Sequence, residues 1–220
     1  MAWAGRFWLP EVGLLLHCHF TLRRWVLFVV VGLIAVGFCS ALHAQQSVTF
    51  TPADTSIEFT LGATLHTVHG TFKLKHGEIQ FDPATGAASG AIVIDATSGE
   101  TGNSSRDHNM HASVLNSGTY PEIIFSPSRI APVDGAGSLR FPLPQGTTIL
   151  NVSGVIHLRG QDHDLMMPVT VERNAGGTLR VSSRFSVPYV KWGLKNPSTF
   201  VLRVSDTVNV EVQSSVHISP

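Results

Sequence analysis

The stretch "TLRVSSRFSV", Thr178 to Val187, decides the fold because its apolar and polar side chains alternate. In an extended chain the apolar and polar residues fall on opposite faces: Leu179, Val181, Phe185 and Val187 on one, and Thr178, Arg180, Ser182, Arg184 and Ser186 on the other. A period of two is typical of a β-strand with one buried face and one face in water. This stretch therefore predicts a strand of an antiparallel sheet.

The same alternation recurs in "TSIEFTL", residues 55–61, and in "DTVNVEVQ", residues 206–213. The stretch "FDPATGAASG", residues 81–90, has the Asp-Pro and Gly chemistry of a hairpin turn. No long helical pattern appears, so the sequence predicts an all-β fold, an antiparallel barrel or sandwich. An outer-membrane barrel would also alternate, but its aromatic girdles are missing. The Pro- and Gly-rich segment Ala131 to Thr148 is predicted to be a loop or lid with a short strand.

The first 44 residues have the pattern of a secretory leader. Arg23 and Arg24 precede the apolar run from Trp25 to Cys39, and "SALHA", residues 40–44, ends the run with small residues. We predict a signal peptide over residues 1–44, cleavage after Ala44, and a barrel domain over residues 45–220. The protein would then lie in the periplasm or be secreted. The alternative is an uncleaved inner-membrane anchor, although the apolar run is shorter than the ~20 residues that a span needs.

Charge and cysteine content exclude several classes of function. Both cysteines, Cys18 and Cys39, belong to the leader, so the mature domain has no disulfide, thiol nucleophile or Cys metal ligand. The leader also carries three of the 15 Lys and Arg residues and one of the 15 Asp and Glu residues, which leaves a mature net charge of −2. Such a balance argues against a nucleic-acid partner, because phosphates demand a basic surface.

The segment "TGNSSRDHNMHASVLNSGTYPEIIF", residues 101–125, breaks the strand pattern. Ser104 and Asp107 have the spacing of a helix capping box, which predicts one short helix, roughly Asp107 to Val114, at an end of the barrel. Met110 would face inward, and Arg106 would pair with Asp107 or with a loop carboxylate. Two other interpretations remain open. His108 and His111, one turn apart, could bind a metal with Asp107, and Ser104 or Ser105 beside His108 could form a hydrolase site. Because no HExxH motif and no G-x-S-x-G elbow support them, we expect neither a metal site nor catalysis.

Four blocks of the sequence, in order, resemble one known family. The first, residues 54–83, has a Gly-x-Phe in its second strand and ends in an F-D-P turn. The second, residues 98–125, contains R-D and then Y-P-x-I-x-F, and the third, "VSGVIHLRGQDHDLMMPVTV", spans residues 152–171. The fourth is "FSVPYVKWGL", residues 185–194. Together they resemble the YceI-like, polyisoprenoid-binding family over residues 47–213.

The resemblance implies a lipocalin-like antiparallel barrel that is exported and often dimeric. It also implies an elongated pore for the tail of an isoprenoid lipid, polyprenyl or quinone-like, with no other cofactor. An amphiphilic lipid, a transient membrane contact and a homodimer are the expected partners. The predicted pore lining consists of inward-facing apolar residues: Ile57, Phe59, Phe72, Phe81, Ile92, Ile94, Phe125, Leu179, Val181 and Phe185. The predicted pore mouth consists of Arg106, His108, Met110 and His111.

The same ten apolar residues would also fill a solid core, because small barrels are often simply packed. A packed barrel would instead serve as a stress-response or interaction scaffold. If the barrel is hollow, the tail should dominate the affinity, because a twenty-carbon chain contributes roughly 6 kcal/mol at ~0.3 kcal/mol per atom. An exposed head-group ion pair would add only ~0–1 kcal/mol, so we expect weak head-group selectivity.

Overall fold

The computed structural model describes residues 45–219, except for 65, 134–137, 175–177 and 201. The predicted signal peptide, residues 1–44, lies outside the described residues. Strands account for most of the described chain: β1 (Gln46–Phe50), β2 (Thr55–Ala63), β3 (Thr67–Phe81), β4 (Ala88–Glu100), β5 (Glu122–Pro132), β6 (Gly146–Leu158), β7 (Gln161–Arg173), β8 (Leu179–Val187) and β9 (Val204–Ser219). One short helix, α1 (Ser104–Asn109), continues into a π-helical segment, Met110–Leu115.

The sheet closes on itself. Hydrogen bonding runs from β2 through β9, β8, β7, β6, β5, β4 and β3 back to β2, and every pairing is antiparallel. β1 shares the ring position of β2, because both pair with β3 and β9 at different heights. The ring therefore has eight positions, and the prediction of an all-β antiparallel barrel with one short helix is confirmed.

The β6–β7 hairpin shows how local sequence fixes the register. The two strands pair from Gly146 opposite Arg173 to Leu158 opposite Gln161. Arg159 and Gly160 connect them with φ of +51° and +75°, the left-handed pair of a type I′ turn, whose twist matches that of the strands. With this register, alternate β6 residues from Leu150 to Leu158 face the barrel interior and are buried.

The helix begins at Ser104, three residues before the predicted start at about Asp107. Asn103, not Ser104, is the N-cap, and its side-chain oxygen accepts a hydrogen bond from the Arg106 backbone N–H at 3.0 Å. Asp107 instead accepts from the backbone N–H of Thr101 at 2.9 Å, so its carboxylate holds the strand-to-helix connection. None of the helices in the described part of the chain is long and apolar enough to cross a membrane.

The barrel has a helix end, where β4 leads into α1, and a far end, where the β3–β4 hairpin turns. The segment 138–145 bridges the far end from one strand terminus to another. The Leu139 N–H donates to the Pro83 carbonyl at 2.9 Å, and Arg173 Nη1 donates to the Leu143 carbonyl at 2.6 Å. Leu139 and Leu143 are buried. The short strand predicted between β5 and β6 is absent from the described residues 138–145. The Leu139 N–H and the Leu143 carbonyl bond to the β3–β4 turn and to Arg173, and so do not pair with a neighbouring strand.

Candidate ligand cavity

The barrel interior contains an inner cavity of about 170 Å³ on the side of the far end. Side chains from all nine strands line it together with Leu139 and Leu143, and among the described lining residues only Thr55 and Ser183 are polar. Both hydroxyls are already bonded: Thr55 Oγ1 lies 2.8 Å from Ser214 Oγ, and Ser183 Oγ donates to the Pro168 carbonyl at 2.7 Å. The inner cavity therefore suits a hydrocarbon and offers nothing to a polar group.

An outer cavity of about 610 Å³ lies at the helix end. This volume falls within the about 300–1,000 Å³ that is usual for small-molecule sites. Its wall is apolar inside the barrel, and its polar lining residues gather at the end: His66, Thr101, Asn103, Ser105, Arg106, Asn109 and Thr199. Most of them are exposed to solvent. The outer cavity thus opens to water at the helix end and becomes apolar with depth.

Four side chains, the waist, line both cavities: Ile57, Ile94, Ile156 and Phe185. They come from β2, β4, β6 and β8, which are alternate strands of the ring. Since one set of side chains forms a wall of each cavity, the two cavities adjoin along the barrel axis. Together they make an apolar interior that narrows at the waist.

The interior is hollow and not solidly packed. Cavities of about 170 Å³ and about 610 Å³ lie among the side chains that face it, Ile57 and Phe81 included. Among the described residues, Val216 is the one large side chain that is fully buried. The centroids of the Phe59 and Phe72 rings lie 5.3 Å apart. The two residues belong to neighbouring strands, so their rings do not meet across the barrel axis. Packed interiors hold few voids larger than a water molecule, whereas the two cavities here are many times larger than one water.

All ten residues of the predicted pore lining face a cavity. Three belong to the waist (Ile57, Ile94 and Phe185), two line the outer cavity alone (Phe59 and Phe72), and five line the inner cavity alone (Phe81, Ile92, Phe125, Leu179 and Val181). The period of two in the sequence predicts that these residues share the inward face of the sheet. Their contact with a ligand stays a prediction.

The predicted mouth residues divide into two groups. Arg106 and Met110 line the outer cavity. His108 is exposed on α1 and does not line it. His111 points to the sheet, where its Nε2 lies 2.8 Å from the Gly99 carbonyl and its Nδ1 lies 2.9 Å from Ser117 Oγ. The structure therefore gives His111 the role of tying the π-helical segment to β4, and does not bring the two histidines together with Arg106 at the mouth.

The sequence predicts that Arg106 pairs with Asp107 or with a loop carboxylate, and among the described residues it forms an ion pair with neither. Its Nε donates to Thr101 Oγ1 at 2.7 Å, and its Nη2 donates to the Thr101 carbonyl at 2.9 Å. Thr101 Oγ1 in turn donates to Asp107 Oδ1. The carboxylate thus positions Thr101, and Thr101 positions the guanidinium. Ion pairs among the described residues do not include Arg106.

Sequence reasoning missed several lining residues. Leu139 and Leu143 were placed in a loose segment because Pro and Gly around them hide any periodicity. Met167 lines the inner cavity while its neighbour Met166 is 67% exposed, and the period of two that Met167 shares with Leu165, Val169 and Val171 could have identified it. Among the described residues no group of three or more His, Cys, Asp or Glu side chains lies close enough to hold a metal ion.

Tyr189 lines the outer cavity with its ring, and its hydroxyl donates to the Ser205 carbonyl at 2.7 Å. Burial, with a smaller contribution from the negative charge of Asp206, raises the pKa of Tyr189 from 10.0 to about 12. A raised pKa in the folded state stabilises the fold fully below pH 10, and this stabilisation is lost as the pH rises from about 10 to about 12. We expect the difference in free energy of unfolding between wild type and Tyr189→Phe to shrink over this interval in urea titrations. A difference that stays constant would contradict the assignment.

A closed antiparallel barrel with an apolar interior that opens at one end belongs to the lipocalin-like class of folds. The chain is a member of the YceI-like domain family, whose sequence model matches residues 48–216. No curated protein matches the chain.

Solved structures have the same fold. BcnA of Burkholderia cenocepacia is 21% identical, with a TM-score of 0.60 over 78% of this chain and 99% of its own. A polyisoprenoid-binding domain from Saccharophagus degradans, implicated in plant cell wall breakdown, is 17% identical, with a TM-score of 0.60 over 79% and 98%. The Campylobacter jejuni YCEI protein is 17% identical, with a TM-score of 0.53 over 69% and 85%.

Proposed function

We propose that the protein is an exported binding protein that holds the apolar tail of an isoprenoid lipid, polyprenyl or quinone-like, inside the barrel. The observation that carries the proposal is the two-part apolar interior, in which most polar residues of the described lining lie at the helix end. A tail placed along the axis would cross the waist into the inner cavity, and its head group would stay in water at the helix end. This polarity matches an amphiphile with one long apolar end.

Tail burial supplies enough energy for this role. At ~0.3 kcal/mol per atom, a twenty-carbon tail contributes roughly 6 kcal/mol to binding. The two hydroxyls in the lining of the inner cavity are bonded to the protein, so the inner cavity offers a ligand apolar contacts alone. We therefore propose that tail length and shape select the ligand in the inner part of the barrel.

The family and one relative of the same fold support the proposal, since the Saccharophagus degradans domain is named as polyisoprenoid-binding. We propose a binding role without catalysis or a metal. Export to the periplasm rests on the predicted leader, and the homodimer rests on the family resemblance. The side chain of Phe200 is 99% exposed beside Thr199 and Leu202, which both line the outer cavity. An apolar ring at this position supports a transient membrane contact at the helix end.

Two measurements on the purified protein test the proposal. Mass spectrometry of an organic extract should detect a bound isoprenoid. After delipidation, a prenyl lipid at about 100 times its Kd should add about 2.7 kcal/mol to the stability. For a domain of this size that corresponds to a rise in Tm of roughly 5–10 °C. A matched head-group compound without a tail should leave the Tm unchanged. An empty extract together with no uptake and no rise in Tm would make the barrel a scaffold and not a carrier.

A further inference from the structure

The β8–β9 connection, residues 188–203, carries an apolar side chain that is almost completely exposed to water. Phe200 is 99% exposed, whereas the next most exposed large apolar residue of the described chain, Met166, is 67% exposed. The neighbours of Phe200, Thr199 and Leu202, both line the outer cavity, so the ring lies beside the opening. A single exposed apolar residue is normal on a protein surface, and the surroundings of Phe200 therefore decide whether it has a role.

Hydrogen bonds hold the turn that presents Phe200. The Thr199 N–H donates to the Leu202 carbonyl at 2.8 Å, and the Leu202 N–H donates to Thr199 Oγ1 at 3.1 Å. The next residue, Arg203, accepts a hydrogen bond at its carbonyl from the Thr64 N–H at 3.0 Å, which ties the turn to the β2–β3 connection. The exposure of the ring is therefore built into a bonded turn and does not belong to a free chain end.

The same connection is basic. It contains Lys191, Lys195 and Arg203 and no Asp or Glu. All three residues are exposed, and the ion pairs among the described residues include none of them. The nearest acidic residue along the chain, Asp206, accepts a hydrogen bond from Asn196 Nδ2 at 2.6 Å. Three cations without an ion pair thus share one connection with the exposed ring.

Basic residues around an exposed aromatic ring fit the surface of a bilayer that contains anionic lipids. Each Lys or Arg near such a surface contributes about fivefold to the affinity, and an aromatic ring is buried at the boundary between head groups and acyl chains. We propose that Lys191, Lys195, Phe200 and Arg203 form a docking surface for an anionic phospholipid bilayer. Docking in this way turns the open end of the outer cavity toward the membrane. The inference deepens the proposed function and rests on it, because it names the partner in the membrane contact through which the barrel would load its lipid.

Co-sedimentation with vesicles tests the docking surface. The purified protein should bind vesicles of phosphatidylcholine mixed with phosphatidylglycerol roughly 10- to 100-fold more tightly than vesicles of phosphatidylcholine alone. This preference should disappear in about 1 M salt, where the Debye length is about 3 Å. The double variant Lys191→Glu/Lys195→Glu should bind the anionic vesicles at least about 25-fold more weakly than wild type. Phe200→Ser should weaken binding to both kinds of vesicle by roughly tenfold or more.

Matched controls place the same changes elsewhere on the barrel. Arg140→Glu/Arg180→Glu alters the net charge by the same amount at two exposed residues of the far end, and Met166→Ser removes an exposed apolar side chain from β7. Both should bind vesicles as wild type does, and thermal unfolding should show that all variants are folded.

Equal binding of the two kinds of vesicle by wild type would overturn the docking surface, and so would an equal loss in the far-end control. Titration of a soluble prenyl ligand without vesicles separates the two proposals. If wild type takes up the ligand but ignores the anionic vesicles, the docking surface alone is wrong. If it binds the vesicles but not the ligand, the proposed function is wrong and the membrane contact stands.

Discussion

Ile94→Trp is expected to weaken binding of a twenty-carbon prenyl ligand by more than about 100-fold. Ile94 is part of the waist and faces both cavities, so an indole at this position would block the passage between them. If about ten carbons of the tail lose their place in the inner cavity, the loss is ~3 kcal/mol at ~0.3 kcal/mol per atom. A ten-carbon ligand fits in the outer cavity alone and should lose much less affinity.

The matched control is Ile149→Trp, because Ile149 lies on β6 with 52% of its surface exposed. It should bind ligands of both lengths as wild type does. Fluorescence or calorimetric titration gives the Kd values, and thermal unfolding should show that Ile94→Trp is no less stable than wild type, since the added ring enters empty space. Equal weakening of the ten- and twenty-carbon ligands would mean that the tail does not pass the waist.

Gly154→Ala is expected to lower the free energy of unfolding by about 1–3 kcal/mol or more. A Cβ built on Gly154 would lie 2.3 Å from the Ser126 carbonyl oxygen and 2.8 Å from the Pro127 Cα, both in β5. Backbone atoms cannot turn aside, so β5 would have to move away from β6. In a strand without such a clash, alanine is more stable than glycine. A loss of stability in Gly154→Ala therefore measures the clash with β5.

The matched control is Gly118→Ala, since no atom lies within 4 Å of a Cβ at Gly118. Urea denaturation of the two variants should show a loss for Gly154→Ala alone, with a fall in Tm of roughly 2–4 °C per kcal/mol. Equal stability of the two variants would mean that β5 yields easily at the β-bulge between Pro127 and Arg129.

The barrel and its lining were predictable because they depend on a repeating pattern. Leu179, Val181 and Phe185 alternate with polar residues, and this alone places them inside. The hollow interior was not predictable, since the same residues would satisfy a solid core. Whether the space is filled depends on the ring of eight positions and on how far the side chains reach across it, which no local pattern contains.

The site at the helix end shows the same limit. The sequence pointed to Arg106 as a mouth residue, but it predicted that the guanidinium pairs with Asp107, its neighbour in the chain, or with a loop carboxylate. In the structure Thr101 stands between the two, and it bonds to both. Thr101 is five residues from Arg106, and only the turn from β4 into α1 brings them together. Neighbouring opposite charges in a sequence are thus poor evidence of an ion pair at a helix start, where backbone N–H groups compete for the carboxylate.

The segment that covers the far end affects how a lipid can enter and leave the barrel. Leu139 and Leu143 cover part of the far end, so a lipid that enters at the helix end would insert the tip of its tail first and withdraw that tip last. A barrel used in this way would not pass a lipid along its axis from one membrane to another. The protein would have to present its helix end first to the donor membrane and then to the acceptor membrane. Release of the lipid would become slower with each added isoprene unit.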